Sequence, residues 1–198
     1  MTTAQTGKRL TGEARRQAVL DTACRVFSRS SYRGATTAEI AREAGISEPI
    51  LYRHFGSKRE LYLACLGQAW GSLQAVAAEA RGNDANGCLG AVVSAYMASK
   101  ARVRLVDLWI QALSVAPEDP VVARALRKQI REVHDFFADL VREAQAEGTV
   151  HPERDPEAEA WIFVASGLLA TVDHRLGGLL GPDLERVRVE RKRWLAAD

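Results

Sequence analysis

A chain of 198 residues, 47% of them apolar, can bury one sizeable core or a core with a small appended module. Its longest apolar runs, such as Trp161 to Ala165, fall far short of the roughly 20 residues of a membrane-crossing helix, which excludes that class. The formal charge of +2 conceals an asymmetry: residues 1–66 carry 11 Lys and Arg against 6 Asp and Glu, or +5, and the remainder 16 against 19, or −3. A small basic module suited to a phosphate backbone thus precedes an acidic body, although a solvated basic helix face would give similar counts.

The N-terminus MTTAQTGKRLTGEARR has no apolar segment resembling a signal peptide, so a cytoplasmic location is expected. Cys24, Cys65 and Cys88 lack the short spacings of metal sites or disulfide frameworks and are expected to be reduced and buried. Nearly every long segment repeats apolar residues at three and four, and none alternates at two for long, which predicts an all-α chain.

A first helix is predicted from about Gly12 to Ser30, with Val19, Leu20, Ala23, Val26 and Phe27 inward and Gly34 supplying a left-handed stop. A short helix follows over Thr37 to Ala44, its threonines capping the first turn, until Gly45 breaks it. Ser47 offers the next N-cap, Pro49 sits in the first turn, and Ile50, Leu51 and Phe55 give a two-turn helix an apolar side before Gly56. Ser57, with Glu60 three residues on as a capping box, opens a longer helix towards Ala80. The polar run Arg81 to Gly87 reads as a loop. Further helices are predicted near Cys88 to Ala101, Arg104 to Val115, Asp119 to Ala146, Pro156 to Leu176 and Pro182 to Leu195.

Thr37 to Phe55 has the plan of a helix-turn-helix: two short helices joined at Gly45, with Ala41 small where they cross and Ile40, Ala44, Ile46, Leu51 and Phe55 forming a miniature core. Such a helix can be pressed into a major groove, leaving Ser47, Glu48, Pro49, Tyr52, Arg53 and His54 on or near its outer surface. The run TTAEIAREAGIS (36–47) followed by LYRHFGSKREL (51–61) resembles the TetR family of bacterial transcriptional regulators. Glu48-Pro49 departs from the small residue or glycine that many relatives carry there.

The resemblance implies an N-terminal three-helix DNA-binding domain (1–56) and a C-terminal helical domain for effector binding and dimerisation (57–198). It implies that Thr37 meets a phosphate at a helix start, that Tyr52 and His54 bond flanking phosphates, and that Lys58 adds charge to the same strand. Arg53 and Glu48 have the chemistry of base readers, since a guanidinium can bond a guanine edge and a carboxylate can accept from a cytosine amino group. Arg53 could equally be solvated or bind a phosphate, and Tyr52 could be a core residue with its hydroxyl exposed.

In the acidic body the helix from Pro156 has two apolar stripes. Trp161, Val164, Ala165, Leu168, Leu169 and Val172 form one; Phe163, Ser166, Gly167, Ala170 and Thr171 form a second, mostly small. The second, with His174 beside it and Phe137 and Val141 of the preceding helix, is expected to form a two-fold four-helix interface, the alternative being core within one chain. Trp70, Tyr96, Met97, Trp109 and Phe137 are bulky candidates for an effector pocket, with Gln111 and His134 as polar orienters. His134 and His174 have neighbouring acids, Asp135 and Asp173, expected to point away from them on a helix, and no metal site is expected. No Gly-rich phosphate loop, Gly-x-Ser-x-Gly elbow or Glu-x-x-His pair argues for an enzyme or a cofactor. The expectation is a homodimeric regulator, with the repressor sign implied by the resemblance, released from a palindromic operator by a small-molecule effector. A DNA-anchored enzyme and an effector-free scaffold are the alternatives.

Overall fold

The computed structural model describes residues 11–81 and 88–196. These form helices α1 (Gly12–Gly34), α2 (Thr37–Glu43), α3 (Glu48–His54), α4 (Lys58–Arg81), α5 (Cys88–Ala98), α6 (Lys100–Val115), α7 (Pro120–Ala146), α8 (Pro156–Arg175) and α9 (Asp183–Leu195), with an isolated bridge between Val150 and Ala196. The architecture is all-α, as the periodicity predicts. The loop read over Arg81 to Gly87 lies outside the described residues, apart from Arg81 at the end of α4.

Two compact units divide the chain, Met1–Cys65 and Leu66–Asp198. Their boundary falls inside α4 rather than at Gly56, because the first turns of α4 pack with the N-terminal unit. Tyr62 stands edge-on to Phe27 at 5.0 Å and to Tyr32 at 4.8 Å, and the Cys65 thiol lies 3.9 Å from the Leu20 carbonyl oxygen. Burial pushes the Tyr62 hydroxyl and the Cys65 thiol well above their ordinary pKa values, and Cys24 and Cys65 are buried and form no disulfide.

Within the N-terminal unit, Thr11 caps α1 by accepting from the Ala14 N–H, and Val19, Leu20, Ala23, Val26 and Phe27 are buried. The left-handed residue is not Gly34 but Ser31 (φ 66°, ψ 165°). Its hydroxyl accepts from the Gly34 N–H at 3.2 Å, a local bond that offers the chain an alternative to continuing the helix. Thr36 caps α2. Gly45 takes φ 67°, and the Ile46 N–H returns to the Ala41 carbonyl at 3.0 Å, a glycine-dependent helix stop. Ser57 accepts from the Glu60 N–H at 3.0 Å, while the Glu60 carboxylate reaches past it to the Gly56 N–H at 2.9 Å. Ile40, Ala41, Leu51 and Phe55 close the small core.

In the second unit α5 stops three residues earlier than predicted, at Ala98, and α6 restarts at Lys100. Asp119 and Asp155 cap α7 and α8, each accepting from two backbone N–H groups ahead of a proline-led first turn. Gln129, in phase with the apolar stripe Val122, Leu126, Val133, Phe137 of α7, bridges three helices. It accepts from the Trp109 indole N–H at 2.6 Å and donates to the Leu66 carbonyl at 2.7 Å. Gln129→Leu should therefore lower stability by about 1–3 kcal/mol, because it strands a buried indole N–H, whereas an exposed polar site such as Lys128→Leu should change little. Chemical denaturation of both variants checks this. Among the described residues no helix is long and apolar enough to cross a membrane.

Candidate functional site

The expected reading helix, α3, is seated by Leu51 and Phe55, both buried, and turned by Gly45. Its outer side carries Ser47, Pro49 and Arg53, all exposed, and Tyr52, 45% exposed; Glu48 and His54 are half-buried. Ser47 stands at the N-cap position, yet its hydroxyl makes no capping bond. Arg53 has no hydrogen-bond or ion-pair partner among the described residues. It projects a planar donor set from the last turn of the helix.

Three of the expected DNA contacts are joined to one another. The Thr37 hydroxyl bonds the Glu48 carboxylate and lies 3.1 Å from the Tyr52 hydroxyl. An ionised carboxylate only accepts, so Thr37 donates to Glu48, and Tyr52 then donates to the Thr37 oxygen. Thr37 is buried at 9% exposure, so its hydroxyl ties α2 to α3 rather than facing solvent. Glu48, a candidate base reader, is drawn back onto α2 by the same bond. Lys58 is also engaged: its ammonium lies 3.4 Å from the Arg33 carbonyl oxygen and 4.9 Å from the centre of the Tyr32 ring, and burial lowers its pKa. Arg29, unnoticed in the sequence, clamps Glu39 and Glu43 of α2 from α1, which holds its pKa above the ordinary value.

The candidate pocket residues fall into separate surroundings. Trp70, Tyr96 and Phe137 belong to one aromatic cluster: Tyr96 stands edge-on to Phe137 at 5.1 Å, Phe136 links Phe137 to Trp70, and Phe163 stacks on Phe137 at 5.2 Å. Met97 is half-buried on α5 and Gln111 buried on α6, its side-chain oxygen without a hydrogen-bond partner among the described residues. Trp109 is engaged with Gln129 instead. His134, fully buried, bridges α7 and α8: Nδ1 lies 2.9 Å from the Asp135 carboxylate and Nε2 3.2 Å from the Glu157 carbonyl oxygen. Asp135 thus turns towards His134, contrary to the expectation from helical spacing, whereas Asp173 accepts from the Leu180 N–H beyond α8. His134, Asp135 and Glu157 offer ligand atoms within 4.8 Å of one another, but two different ring nitrogens face the two acids. That arrangement suits a hydrogen-bonded strut better than one shared ion. A surface concavity of about 620 Å³ beside the Gly45 turn and another of about 510 Å³ along α9 include none of the candidate pocket residues.

The small-residue stripe of α8 expected at a dimer interface lies against neighbours from its own chain. Gly167, Ala170 and Thr171 are buried, as are Phe137 and Val141 of α7, and Phe163 is half-buried against Phe137. A Cβ added at Gly167 would lie 3.2 Å from the Tyr96 hydroxyl. The small residues therefore admit neighbours from their own chain, and only His174 of that set is exposed. The side open to solvent bears Trp161, Ile162, Leu169 and Val172, each 38–41% exposed, and continues into Leu176 and Leu179.

Residues 19–65 match the family described as bacterial regulatory proteins, tetR family, and residues 88–191 match that described as BetI-type transcriptional repressor, C-terminal. The chain is 50% identical over 60 residues to the HTH-type transcriptional activator FasR of Mycolicibacterium smegmatis, covering 30% of this chain and 27% of that one. It is 31% identical over 115 residues to the HTH-type transcriptional regulator BetI of Rhizobium meliloti, 57% of each. These alignments span about a quarter to just over half of the curated relatives' lengths. A putative transcriptional regulator from Saccharomonospora viridis, solved in complex with choline, shares the fold with a TM-score of 0.75 at 20% identity, covering 93% of this chain and 96% of that one. With one match on the helix-turn-helix unit and another on more than half of the chain, the protein belongs to the tetR family of bacterial regulatory proteins, with a C-terminal body of the BetI type.

Proposed function

We propose that the protein is a homodimeric, sequence-specific DNA-binding regulator, and a repressor released from a palindromic operator when its C-terminal body takes up a small molecule. The observation that carries this reading is the solvent face of α3, where Tyr52 and Arg53 project from a short helix held rigidly behind by Leu51, Phe55 and the Gly45 turn. One such helix touches few base pairs, so two copies on a palindrome are needed for specificity. The exposed apolar side of α8, from Trp161 to Leu176, is the face offered to the second copy. The repressor sign follows the BetI-type family matched by residues 88–191.

Selection of bound sequences from random duplex DNA at two salt concentrations tests this reading. Enrichment of one palindrome with a fixed half-site spacing is the expected result; salt-sensitive binding without enrichment would reject sequence-specific recognition. On the selected duplex, Arg53→Ala should relax base preference at one position per half-site, at a cost of about 1–3 kcal/mol. Lys58→Ala should weaken all sequences alike and reduce the salt slope by about one unit. An unchanged salt slope would assign Lys58 to its contacts with Tyr32 and Arg33 alone.

A further inference from the structure

The nature of the effector bears on a side chain that neither the core nor the DNA face requires. Arg102 lies near the start of α6, three and four residues before the buried Leu105 and Val106, so the helix carries its guanidinium on the apolar side. It is 7% exposed, and its Nε and Nη1 have no hydrogen-bond partner among the described residues. Among the described residues the titratable groups that act on it are Tyr96 and Arg188, and no carboxylate is with them. Burial and the like charge of Arg188 lower the Arg102 pKa, while burial pushes the Tyr96 hydroxyl up to about 12 against the pull of Arg102. A guanidinium remains charged throughout the working pH range, so this is a buried cation whose Nε and Nη1 donors meet no acceptor among the described residues.

Native proteins rarely leave such a group unpaired, because the desolvated charge has lost water without gaining a partner. Its neighbour Tyr96 begins the aromatic cluster of Phe137, Phe163, Phe136 and Trp70, so one fixed positive charge adjoins an apolar wall. A cation would find little here: Phe137 already packs against Tyr96, Phe136 and Phe163, Arg191 lies over Phe163 at 5.9 Å, and Arg102 and Arg188 repel positive charge.

We infer that Arg102 is the anchor of the effector site and that the effector is an amphipathic anion, a carboxylate on an apolar body, whose charged end meets the Nε and Nη1 donors of Arg102 beside Tyr96. This rests on the proposal that the C-terminal body binds an effector. The ligand supplies the acceptor that the described residues lack, and its apolar part continues the aromatic wall.

The test uses the full chain and begins without ligand. Arg102→Met should melt at the wild-type temperature or above, since an unpaired buried charge is replaced by an apolar side chain. A fall of more than about 3 °C, equivalent to roughly a kcal/mol for a chain of this size, would mean that Arg102 has a structural partner and would overturn the inference. The wild type is then melted with decanoate and 4-phenylbutyrate, with their neutral amides, and with decyltrimethylammonium and choline. Expected is a rise with a carboxylate, accompanied by release of the selected duplex, a loss of at least about tenfold in affinity in Arg102→Met, and partial retention in Arg102→Lys. Equal or greater response to an amide or ammonium compound, or undiminished carboxylate binding by Arg102→Met, overturns the anion assignment. A neutral or cationic compound that also releases DNA would leave the effector proposal standing, whereas no response to any probe would remove both.

Discussion

A Leu169→Glu, Val172→Glu variant is expected to sediment as a monomer and to bind the selected duplex at the level of nonspecific DNA, about 10³-fold or more below the wild type. Both side chains are about two-fifths exposed on the solvent side of α8, so the substitutions disturb little within one chain. In a two-fold interface each change appears twice, placing four carboxylates where apolar surface would otherwise be buried. Gly167→Ala separates this face from the inner one. Its new methyl group would lie 3.2 Å from the Tyr96 hydroxyl of the same chain, away from the solvent side, so it should leave the dimer intact. Sedimentation of both variants decides which side of α8 meets the second copy; a dimeric double glutamate variant would reject the outer face.

Phe27→Ala is expected to cost about 3–5 kcal/mol and to abolish DNA binding by unfolding the N-terminal unit. Phe27 is fully buried, with Tyr62 edge-on at 5.0 Å and Tyr32 stacked at 6.1 Å, and this trio joins α1 to the beginning of α4 behind the reading helix. A module of 65 residues holds only roughly 3–10 kcal/mol in all, so such a loss is a large share of its stability. The C-terminal unit has its own buried cluster around Trp109, Phe137 and Leu140 and should keep its helicity. Circular dichroism should accordingly record an early partial transition; a melting curve within about 2 °C of wild type would reject the anchoring role of this trio.

Local chemistry accounts for most of what was readable before folding. The helix-turn-helix was legible because the Gly45 turn, the threonine cap of α2 and the apolar spacing are each decided within a few residues of chain. Ser31 escaped notice because glycine is the usual left-handed residue, and a serine takes that conformation only where its own hydroxyl compensates. Arg102 and Gln129 carried a fainter signal: each is a polar residue in phase with an apolar helix stripe, a pattern that marks burial without naming a partner.

The tertiary structure decided what the local pattern could not. An apolar stripe specifies that a surface is to be covered, and both stripes of α8 met that condition equally well. Packing with α7 turned Gly167, Ala170 and Thr171 inward and left Trp161, Leu169 and Val172 outside. In the same way the type and spacing of Thr37, Glu48 and Tyr52 suggested three separate contacts with DNA, yet the angle between α2 and α3 brings their polar atoms together in one hydrogen-bonded chain. Helix, cap and turn arise from interactions within one or two turns of the backbone and are therefore written locally. Partner choice depends on distances between residues far apart in sequence, which exist only once the helices have packed.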